Sequence, residues 1–249
     1  MREWYEAAFG RDYLALYPHR DEQEAEEDVA AIIGLIEPRR DLPLLDLACG
    51  AGRHLIALCR AGYRDLVGLD LSADLLAVAR SRIEEEGCRG VRLIRADMRE
   101  IPFSEHFGTV LSLFTSFGYF EADEDDAKVL DAVHAALLPD GVFLLDTLAP
   151  ERTRAGLVRY EERKFGENTA IITRWISPDG ERVEKGIRMI LPDGNERVYC
   201  ESVRLYTAER LTGLFRTAGF ATVEAYGSLA GRPYDDAAER LVVVGRKKG

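Results

Sequence analysis

The sequence lacks long apolar runs and paired cysteines. No hydrophobic stretch approaches the roughly 20 residues that a membrane-spanning helix requires, and the N-terminus carries acids and aromatics in place of the apolar core of a secretion signal. The four cysteines, Cys49, Cys59, Cys88 and Cys200, are scattered without a Cys-x-x-Cys pair, which argues against a metal site or a disulfide framework. We therefore expect a cytoplasmic protein that is not bound to a membrane.

Basic residues are also in short supply. The chain has 33 lysines and arginines against 44 aspartates and glutamates, which gives a formal net charge of −11. This charge disfavours a nucleic acid partner, because polyanions are bound by basic surfaces. With 249 residues, of which 47% are hydrophobic and 31% charged, the chain has the composition of a folded globular protein and room for one large α/β domain.

Short apolar runs alternate with helical segments along most of the chain. Residues 2–36 have helical character with a break near Pro18. Strands are predicted at residues 43–47, 65–70, 91–95, 107–114, 142–148, 221–226 and 241–245. Strands that alternate with helices favour a parallel sheet covered on both faces. The predicted fold class is therefore α/β, with a doubly wound, mostly parallel sheet of seven strands.

The pattern changes between the fifth and the sixth predicted strands. Two Pro-Asp-Gly turns separate three β-like runs, at residues 169–176, 183–190 and 197–205, which indicates an antiparallel insertion. A dimerisation sheet is an alternative and compatible role for it, so a homodimer stays open. The predicted division is a main domain over residues 1–150 and 207–249, with an N-terminal helical cover, and an insertion over residues 151–206 that covers the substrate site.

Acids and glycines stand where the predicted parallel strands end. The first strand contains Asp46 and runs into the turn Gly50-Ala51-Gly52, Asp70 ends the second strand 24 residues after Asp46, and Asp97 follows the third. Ligands of doubly wound sheets bind at this edge, where glycines let a ligand approach a helix N-terminus and an acid can accept hydrogen bonds from a ribose. The three features together predict a nucleoside-containing cofactor.

The charge at the glycine turn selects among such cofactors. Leu55 stands where a dinucleotide-binding turn has its third glycine, and the carboxylate of Asp46 suits an ammonium or sulfonium better than a pyrophosphate. The pattern therefore favours S-adenosylmethionine, which joins adenosine to a positively charged amino-acid tail, over NAD.

One known family shares these motifs. The chain resembles the class I S-adenosylmethionine-dependent methyltransferases in LLDLACGAGRH (44–54), GLDLS (68–72), RADM (95–98), LFTSFGYF (113–120) and LLPDGVFLLD (137–146). The resemblance covers about residues 30–150 and the part from residue 207 onward. The last part is similar to insertion-bearing bacterial members, sugar N-methyltransferases among them. The resemblance implies methyl transfer from S-adenosylmethionine, with S-adenosylhomocysteine as the product.

The resemblance also implies a role for each matching position of the first motif. Asp46 and the backbone around Ala48, Gly50 and Gly52 would hold the methionine end of the cofactor. His54, which opens the next helix, would orient the glycine turn as part of the cofactor site.

The later motifs would hold the rest of the cofactor. Asp70 would bind the ribose hydroxyls, and Leu71 would pack on the adenine. Asp97 would accept a hydrogen bond from the adenine amino group, with the backbone of Met98 beside the ring. The floor beneath the sulfonium would be formed by Leu113 and Phe114.

Residues for the methyl acceptor are expected near the N-terminus, after the fourth strand and before the last strand. Methyl transfer from a sulfonium is an in-line displacement, so the protein contributes positioning and water exclusion and needs no dedicated base. Tyr13 and Tyr119 are the expected catalytic-site residues, with a positioning role. The residues expected to bind the acceptor are Tyr17, Arg20, Ser116, Phe117 and Tyr234.

Missing motifs narrow the acceptor further. The chain has no Asn/Asp-Pro-Pro-Tyr/Phe motif after the fourth strand, as in enzymes that methylate planar nitrogens, no paired nucleophilic cysteines and no Asp/His cluster for a metal. Together with the net charge, these absences favour a small-molecule acceptor, with an amine nitrogen as the expected target and no metal ion. An RNA or protein methyltransferase, or a protein that binds S-adenosylmethionine without catalysis, stays open as an alternative.

Overall fold

The computed structural model describes residues 3–10, 13 and 22–249 of the chain. Its helices are α1 (Trp4–Ala8), α2 (Glu22–Ile36), α3 (Arg53–Arg60), α4 (Ala73–Glu85), α5 (Asp123–Ala136), α6 (Pro150–Ala155) and α7 (Ala208–Thr217). Its strands are β1 (Leu44–Leu47), β2 (Leu66–Asp70), β3 (Val91–Arg95), β4 (Phe107–Ser112), β5 (Leu137–Leu148), β6 (Tyr160–Phe165), β7 (Asn168–Ile176), β8 (Arg182–Ile190), β9 (Glu196–Arg204), β10 (Thr222–Tyr226) and β11 (Arg240–Arg246).

The main sheet of the described chain has seven strands in the order β10-β11-β5-β4-β1-β2-β3. β1 to β5 run parallel, and β11 is antiparallel to both of its neighbours. The strand order reverses between β1 and β4, so the carboxyl ends of β1 to β4 meet at one edge beside this switch point. The predicted doubly wound, mostly parallel sheet is confirmed.

The central strands of this sheet are buried on both faces. Every residue of β1 and β2 is buried, as expected for a parallel sheet covered by helices. Along β1, Leu45 and Leu47 belong to one hydrophobic cluster and Leu44 to the other, because successive side chains point to opposite faces. Burial of each such side chain contributes about 1.5–3 kcal/mol, which makes these strands a rigid base for the residues at their ends.

The start of β5 differs from the prediction. The Pro139-Asp140-Gly141 sequence predicts a turn between a helix and a strand, whereas α5 ends at Ala136 and β5 already begins at Leu137. Leu137 pairs with Phe107 on β4, and the register then shifts. The pairing with β4 skips residues 138–141, and Asp140 has a left-handed φ of 62°, so the predicted turn is present as a bulge inside β5.

A second, antiparallel sheet follows β5 and α6, in the order β6-β7-β8-β9. β7, β8 and β9 confirm the three predicted runs. The fourth strand, β6, is missed by the sequence pattern because its sequence, YEERKF, is mainly charged and lacks apolar alternation. The division of the chain into a main domain and an insertion stays a prediction, as does a homodimer.

The two faces of this second sheet differ. Ala170, Ile172 and Ile187 are buried on one face, whereas Trp175 and Val198 are largely exposed on the other.

Among the helices of the described residues, none is long and apolar enough to cross a bilayer.

Candidate active site

A cavity of about 400 Å³ lies at the carboxyl edge of the main sheet. Tyr5 and Phe9 of the N-terminal segment also line it. The predicted site residues that line this cavity are Tyr13, Asp46, Ala48, Gly50, His54, Asp70, Leu71, Asp97, Met98, Leu113, Phe114, Ser116 and Tyr119. Residues of the N-terminal segment and residues at the carboxyl ends of β1, β2, β3 and β4 therefore line the same cavity.

Asp46 is the buried acid at the end of β1. It is 2% exposed, and its Oδ2 has no hydrogen-bond partner among the described residues. Burial raises the pKa of Asp46 to about 6, opposed in part by the nearby His54 and Arg53. An unpaired buried carboxylate is costly, so this oxygen is a ready acceptor for a ligand ammonium.

The glycine turn after Asp46 has an unusual backbone. Ala48 and Gly50 have positive φ angles of 60° and 54°. The adjacent Cys49 is buried, and burial together with the two neighbouring carboxylates, Asp46 and Asp70, raises the pKa of its thiol well above the usual value. Cys49 therefore stays a neutral thiol that fills the turn.

The first residues of α3 connect the glycine turn to α2. The Nε2 of His54 lies 3.2 Å from Oδ2 of Asp28, and Arg53 forms an ion pair with Glu24. The guanidinium of Arg53 also lies 4.6 Å from the centre of the Phe114 ring. Arg53 and His54 both line the cavity, so their bonds to α2 connect that helix to the cavity wall.

Asp70 joins the turns that follow β1 and β2. Its Oδ2 accepts a hydrogen bond of 2.8 Å from the Gly50 N–H, and its Oδ1 accepts one of 2.8 Å from the Ser72 N–H. Burial raises the pKa of Asp70, although these backbone N–H groups oppose the shift. Asp70 also lines the cavity, and a carboxylate has more acceptor positions than these two bonds use, so it has the capacity to accept hydrogen bonds from ribose hydroxyls.

Ser72 caps helix α4 and holds the N-terminal segment. Its Oγ accepts a hydrogen bond of 3.2 Å from the Leu75 N–H and donates one of 2.7 Å to the carbonyl of Phe9. Ser72 is therefore both a helix N-cap and a contact to the N-terminal segment. The second bond could not be predicted, because the two residues are 63 positions apart.

Asp97 forms an ion pair with Arg99. Burial alone would raise its pKa, but hydrogen bonds from the side chain and backbone of Arg99 lower it. The Nη2 of Arg99 donates to Oδ2 of Asp97 at 2.6 Å. The predicted adenine contact must therefore use the acceptor capacity that Arg99 leaves.

The far wall of the cavity is aromatic. The ring of Phe9 stacks on Tyr119 with centroids 5.5 Å apart, and Tyr13 packs edge-on against Phe9 at 4.9 Å. The indole N–H of Trp4 donates a hydrogen bond of 3.2 Å to the carbonyl of Tyr119. The N-terminal segment and the loop after β4 thus form this wall together.

The second sheet holds the same loop from behind. From β8, Arg182 donates hydrogen bonds of 3.1–3.2 Å to the carbonyls of Gly118, Tyr119 and Phe120. From β9, the Arg204 guanidinium donates one of 2.8 Å to the carbonyl of Glu121. Burial, together with the charge of Arg204, lowers the pKa of Arg182. The arginines of the second sheet therefore help to position the loop that carries Tyr119.

Three predicted residues do not line the cavity. Gly52 is the N-cap of α3 with a φ of 79°, and a Cβ there would lie 3.2 Å from the Cβ of Ala79, so helix packing requires this glycine. Phe117 is buried in the core, and Tyr234 packs against the same hydrophobic cluster. Tyr17 and Arg20 lie outside the described residues. The ligand contacts predicted for all five stay predictions.

Sequence reasoning missed part of the lining. Tyr5, Phe9 and Arg53 border the cavity without having been predicted. The closely spaced aromatics from Trp4 to Tyr13 were the available signal, although such spacing more often marks helix packing.

Comparison with known proteins gives the family. A model for the methyltransferase domain matches residues 44–141, the stretch that holds the acids at the strand ends. A dTDP-3-amino-3,6-dideoxy-alpha-D-glucopyranose N,N-dimethyltransferase from Streptomyces fradiae is 31% identical over 228 residues. The match covers 90% of this chain and 83% of the relative.

Solved structures share the fold. An S-adenosylmethionine-bound amino pentose methyltransferase from Micromonospora echinaspora is 26% identical with a TM-score of 0.67, over 100% of this chain and 98% of that one. An S-adenosylmethionine-dependent methyltransferase from Clostridium acetobutylicum is 18% identical with a TM-score of 0.78, over 95% and 96%. The chain therefore belongs to the class I S-adenosylmethionine-dependent methyltransferases, and S-adenosylmethionine is its cofactor.

Proposed function

We propose that this methyltransferase transfers the methyl group of S-adenosylmethionine to the nitrogen of a small-molecule amine, and that the amine belongs to an amino sugar. The observation that carries the proposal is one cavity with two unlike ends, the unpaired carboxylate of Asp46 and the aromatic wall of Phe9, Tyr13 and Tyr119. Aromatic faces attract the positive charge that an amine acquires on methylation. The names of the relatives from S. fradiae and M. echinaspora support an amino sugar.

The cofactor would be held by the strand ends. Asp46 would accept from the ammonium of the amino-acid tail, and the N-terminus of α3 would face its carboxylate. Asp70 would accept from the ribose hydroxyls with the lone pairs that Gly50 and Ser72 leave. Leu71 lines the cavity beside them, where it would pack on the adenine.

The protein's contribution to the reaction is orientation and exclusion of water. When bound, S-adenosylmethionine would supply a methyl group on a positively charged sulfur. The nitrogen lone pair would form the new N–C bond as the C–S bond breaks and its electron pair stays on the sulfur, and the nitrogen would release one proton to solvent. Tyr13 and Tyr119 would hold the amine in line with this bond. A free amine carries its own lone pair, so the proposed reaction uses neither a protein base nor a metal ion.

The insertion would act as a cover on the acceptor side. Arg182 and Arg204 reach from it to the loop of Tyr119, so the insertion and the aromatic wall are mechanically joined. We propose on this basis that residues 151–206 shape the acceptor site while the main domain holds the cofactor.

Calorimetry and product analysis test the proposal in sequence. S-adenosylmethionine and S-adenosylhomocysteine are titrated first, with NAD as a control, and both are expected to bind while NAD does not. Nucleotide-linked amino sugars, free amino sugars, glycine, RNA and an unstructured protein are then offered as acceptors, with methylation followed by mass spectrometry. Methylation of amino sugars supports the proposal. Methylation of only RNA or protein, or binding of the cofactor without any turnover, would overturn it in favour of an alternative.

A matched pair of variants links the acceptor to the aromatic wall. Tyr119→Ala is expected to lower turnover of the amine because it removes a ring that lines the cavity. Tyr160→Ala removes an equally large ring that is 58% exposed on β6 and does not line the cavity, so it should leave turnover unchanged.

A further inference from the structure

The turn after β4 has a strained backbone. Phe114 and Thr115 have left-handed φ angles of 58° and 66°, although neither is a glycine. This conformation is uncommon for any other residue and an outlier for a β-branched one such as threonine. Strained residues persist only where their surroundings hold them in place. Because Phe114 lines the cavity, whatever holds this turn also sets the position of the Phe114 ring.

Asp146, on β5, holds both residues of the turn. Its carboxylate Oδ2 accepts a hydrogen bond of 2.9 Å from the Phe114 N–H. Its backbone carbonyl accepts one of 3.0 Å from the Thr115 N–H. Asp146 is only 4% exposed, and a buried carboxylate requires a partner of opposite charge.

Arg240, at the start of β11, supplies that charge. Its Nε donates to Oδ1 of Asp146 at 2.7 Å, and its Nη2 donates to Oδ2 at 2.6 Å. The same Nη2 lies 3.4 Å from Oγ1 of Thr115, and the guanidinium carbon lies 5.4 Å from the centre of the Phe114 ring. The pair therefore contacts both strained residues through backbone, hydroxyl and ring.

We propose that Asp146 and Arg240 are positioning residues for methyl transfer. They hold Phe114 and Thr115 in the left-handed conformation and thereby fix the Phe114 ring at the floor of the reaction site. The inference rests on the proposed function, because it places the reacting groups above this floor. If the pair only joined β5 to β11, its loss would lower stability and leave the rate of transfer in the folded enzyme unchanged.

Charge-removing variants test the proposal by comparing rate with cofactor affinity. Asp146→Asn and Arg240→Gln are each expected to lower kcat for the amine on the order of 10²-fold, because a displacement of about 1 Å at a reaction centre can have this effect. The Kd of S-adenosylhomocysteine is expected to change by less than about tenfold, since most cofactor contacts are made elsewhere. Arg240→Lys keeps the charge and loses the second bond, so it serves as a milder variant with an intermediate loss should Asp146→Asn fail to fold.

The chain offers a matched control for these variants. Asp41 pairs with Arg39 in the same two-point geometry, at 3.1 and 2.6 Å, but on the exposed surface before β1. Asp41→Asn is therefore expected to retain the kcat of the wild type. A normal kcat in folded Asp146→Asn and Arg240→Gln would overturn the proposal.

A glycine substitution tests the role of the backbone. Because glycine adopts the left-handed conformation without strain, the loss caused by Asp146→Asn should be smaller in a Thr115→Gly background. Equal losses in both backgrounds would contradict the proposal, as would a crystal structure of Asp146→Asn in which both residues keep their φ angles. If the wild type binds S-adenosylmethionine but methylates no amine, the proposed function fails, and that crystal structure still decides whether Asp146 holds the turn.

Discussion

We have proposed that one part of the cavity, the cofactor half, binds S-adenosylmethionine and that another, the acceptor half, binds the amine; these two halves are built in different ways. The cofactor half, formed by the strand ends from Asp46 to Met98, is made by residues that lie within one continuous stretch of the chain. The acceptor half is formed by the N-terminal segment and the loop around Tyr119, which the arginines of the second sheet hold from outside the cavity. Its contacts join residues 62–115 positions apart. The first half is therefore set by the register of parallel strands, and the second by the docking of separate elements.

The largest expected effect is loss of the cofactor when its half is damaged. Asp70→Ala removes the acceptor of two backbone N–H groups as well as the proposed acceptor of the ribose. Hydrogen bonds to a charged group contribute about 1.5–3 kcal/mol each, so the affinity for S-adenosylhomocysteine should fall on the order of 10²-fold by calorimetry.

The neighbouring Asp65 provides the control for that variant. It precedes β2 and pairs with Arg92 on the surface at 3.1 Å. Asp65→Ala should bind the cofactor normally. Normal binding by Asp70→Ala as well would remove the basis for placing the ribose at this strand end.

The acceptor half should respond differently. Arg182→Ala frees three carbonyls of the loop around Tyr119, so kcat/KM for the amine should fall by about tenfold or more through misplacement of that loop. The affinity for S-adenosylhomocysteine should stay as in the wild type. Arg188, on the same strand but paired with Glu196 at the surface, supplies the control variant Arg188→Ala. If Arg182→Ala lowered the affinity for S-adenosylhomocysteine as much as it lowered kcat/KM for the amine, the two halves would not be independent.

The pH dependence of cofactor binding should belong to the cofactor half alone. Because the pKa of Asp46 is raised to about 6, its carboxylate is present above that pH and is lost as the pH falls through it. The affinity for S-adenosylhomocysteine should therefore drop about tenfold between pH 7 and pH 5, and Asp46→Asn should flatten this profile.

Asp126 is a matched control for the pH experiment. Burial also raises its pKa to about 6, but it lies in α5, where Tyr206 donates to it at 2.7 Å, away from the cavity. Calorimetry on Asp126→Asn should give the wild-type profile. A flattened profile in this variant would assign the pH dependence to a group other than Asp46.

The smallest effect compares two equivalent helix caps. Ser72 and Thr207 each accept a hydrogen bond of 3.2 Å from a backbone N–H in the first turn of a helix. Replacing either by alanine should lower the free energy of unfolding by about 1 kcal/mol in urea denaturation. Only Ser72→Ala should also weaken cofactor binding, since only Ser72 holds Phe9 over the cavity. Equal cofactor affinity in both variants would mean that this bond does not support the site.

The cofactor half could be predicted from the sequence for a physical reason. Parallel strands joined by helices bring their carboxyl ends to one edge, so Asp46, Asp70 and Asp97 had to meet wherever the strand assignments held. For Gly52 the structure adds a packing reason, because a Cβ there would lie 3.2 Å from the Cβ of Ala79, while its predicted contact with the cofactor stays a prediction.

The acceptor half could not be predicted in the same way. Arg182 and Arg240 are ordinary charges in the sequence, and nothing in their spacing indicates that they reach carbonyls 62 positions away or a carboxylate 94 positions away. Such contacts depend on how the second sheet and β11 dock, which is decided by packing over the whole chain. The charged strand β6 shows the same limit, because its pairing with β7 outweighs its composition.

The contacts of Arg182 have a consequence for how this enzyme can diversify. Its bonds to the loop go to main-chain oxygens, which every amino acid possesses, so a new side chain at Tyr119 leaves these bonds in place. Phe120 offers no such freedom, because its ring is buried in the core and packs against Tyr5. Gly118 is also constrained, since its φ of 86° and a carbonyl 3.2 Å from an added Cβ favour glycine there. Evolution, or a directed library, can thus explore new substrates at Tyr119 without redesigning the support beneath it.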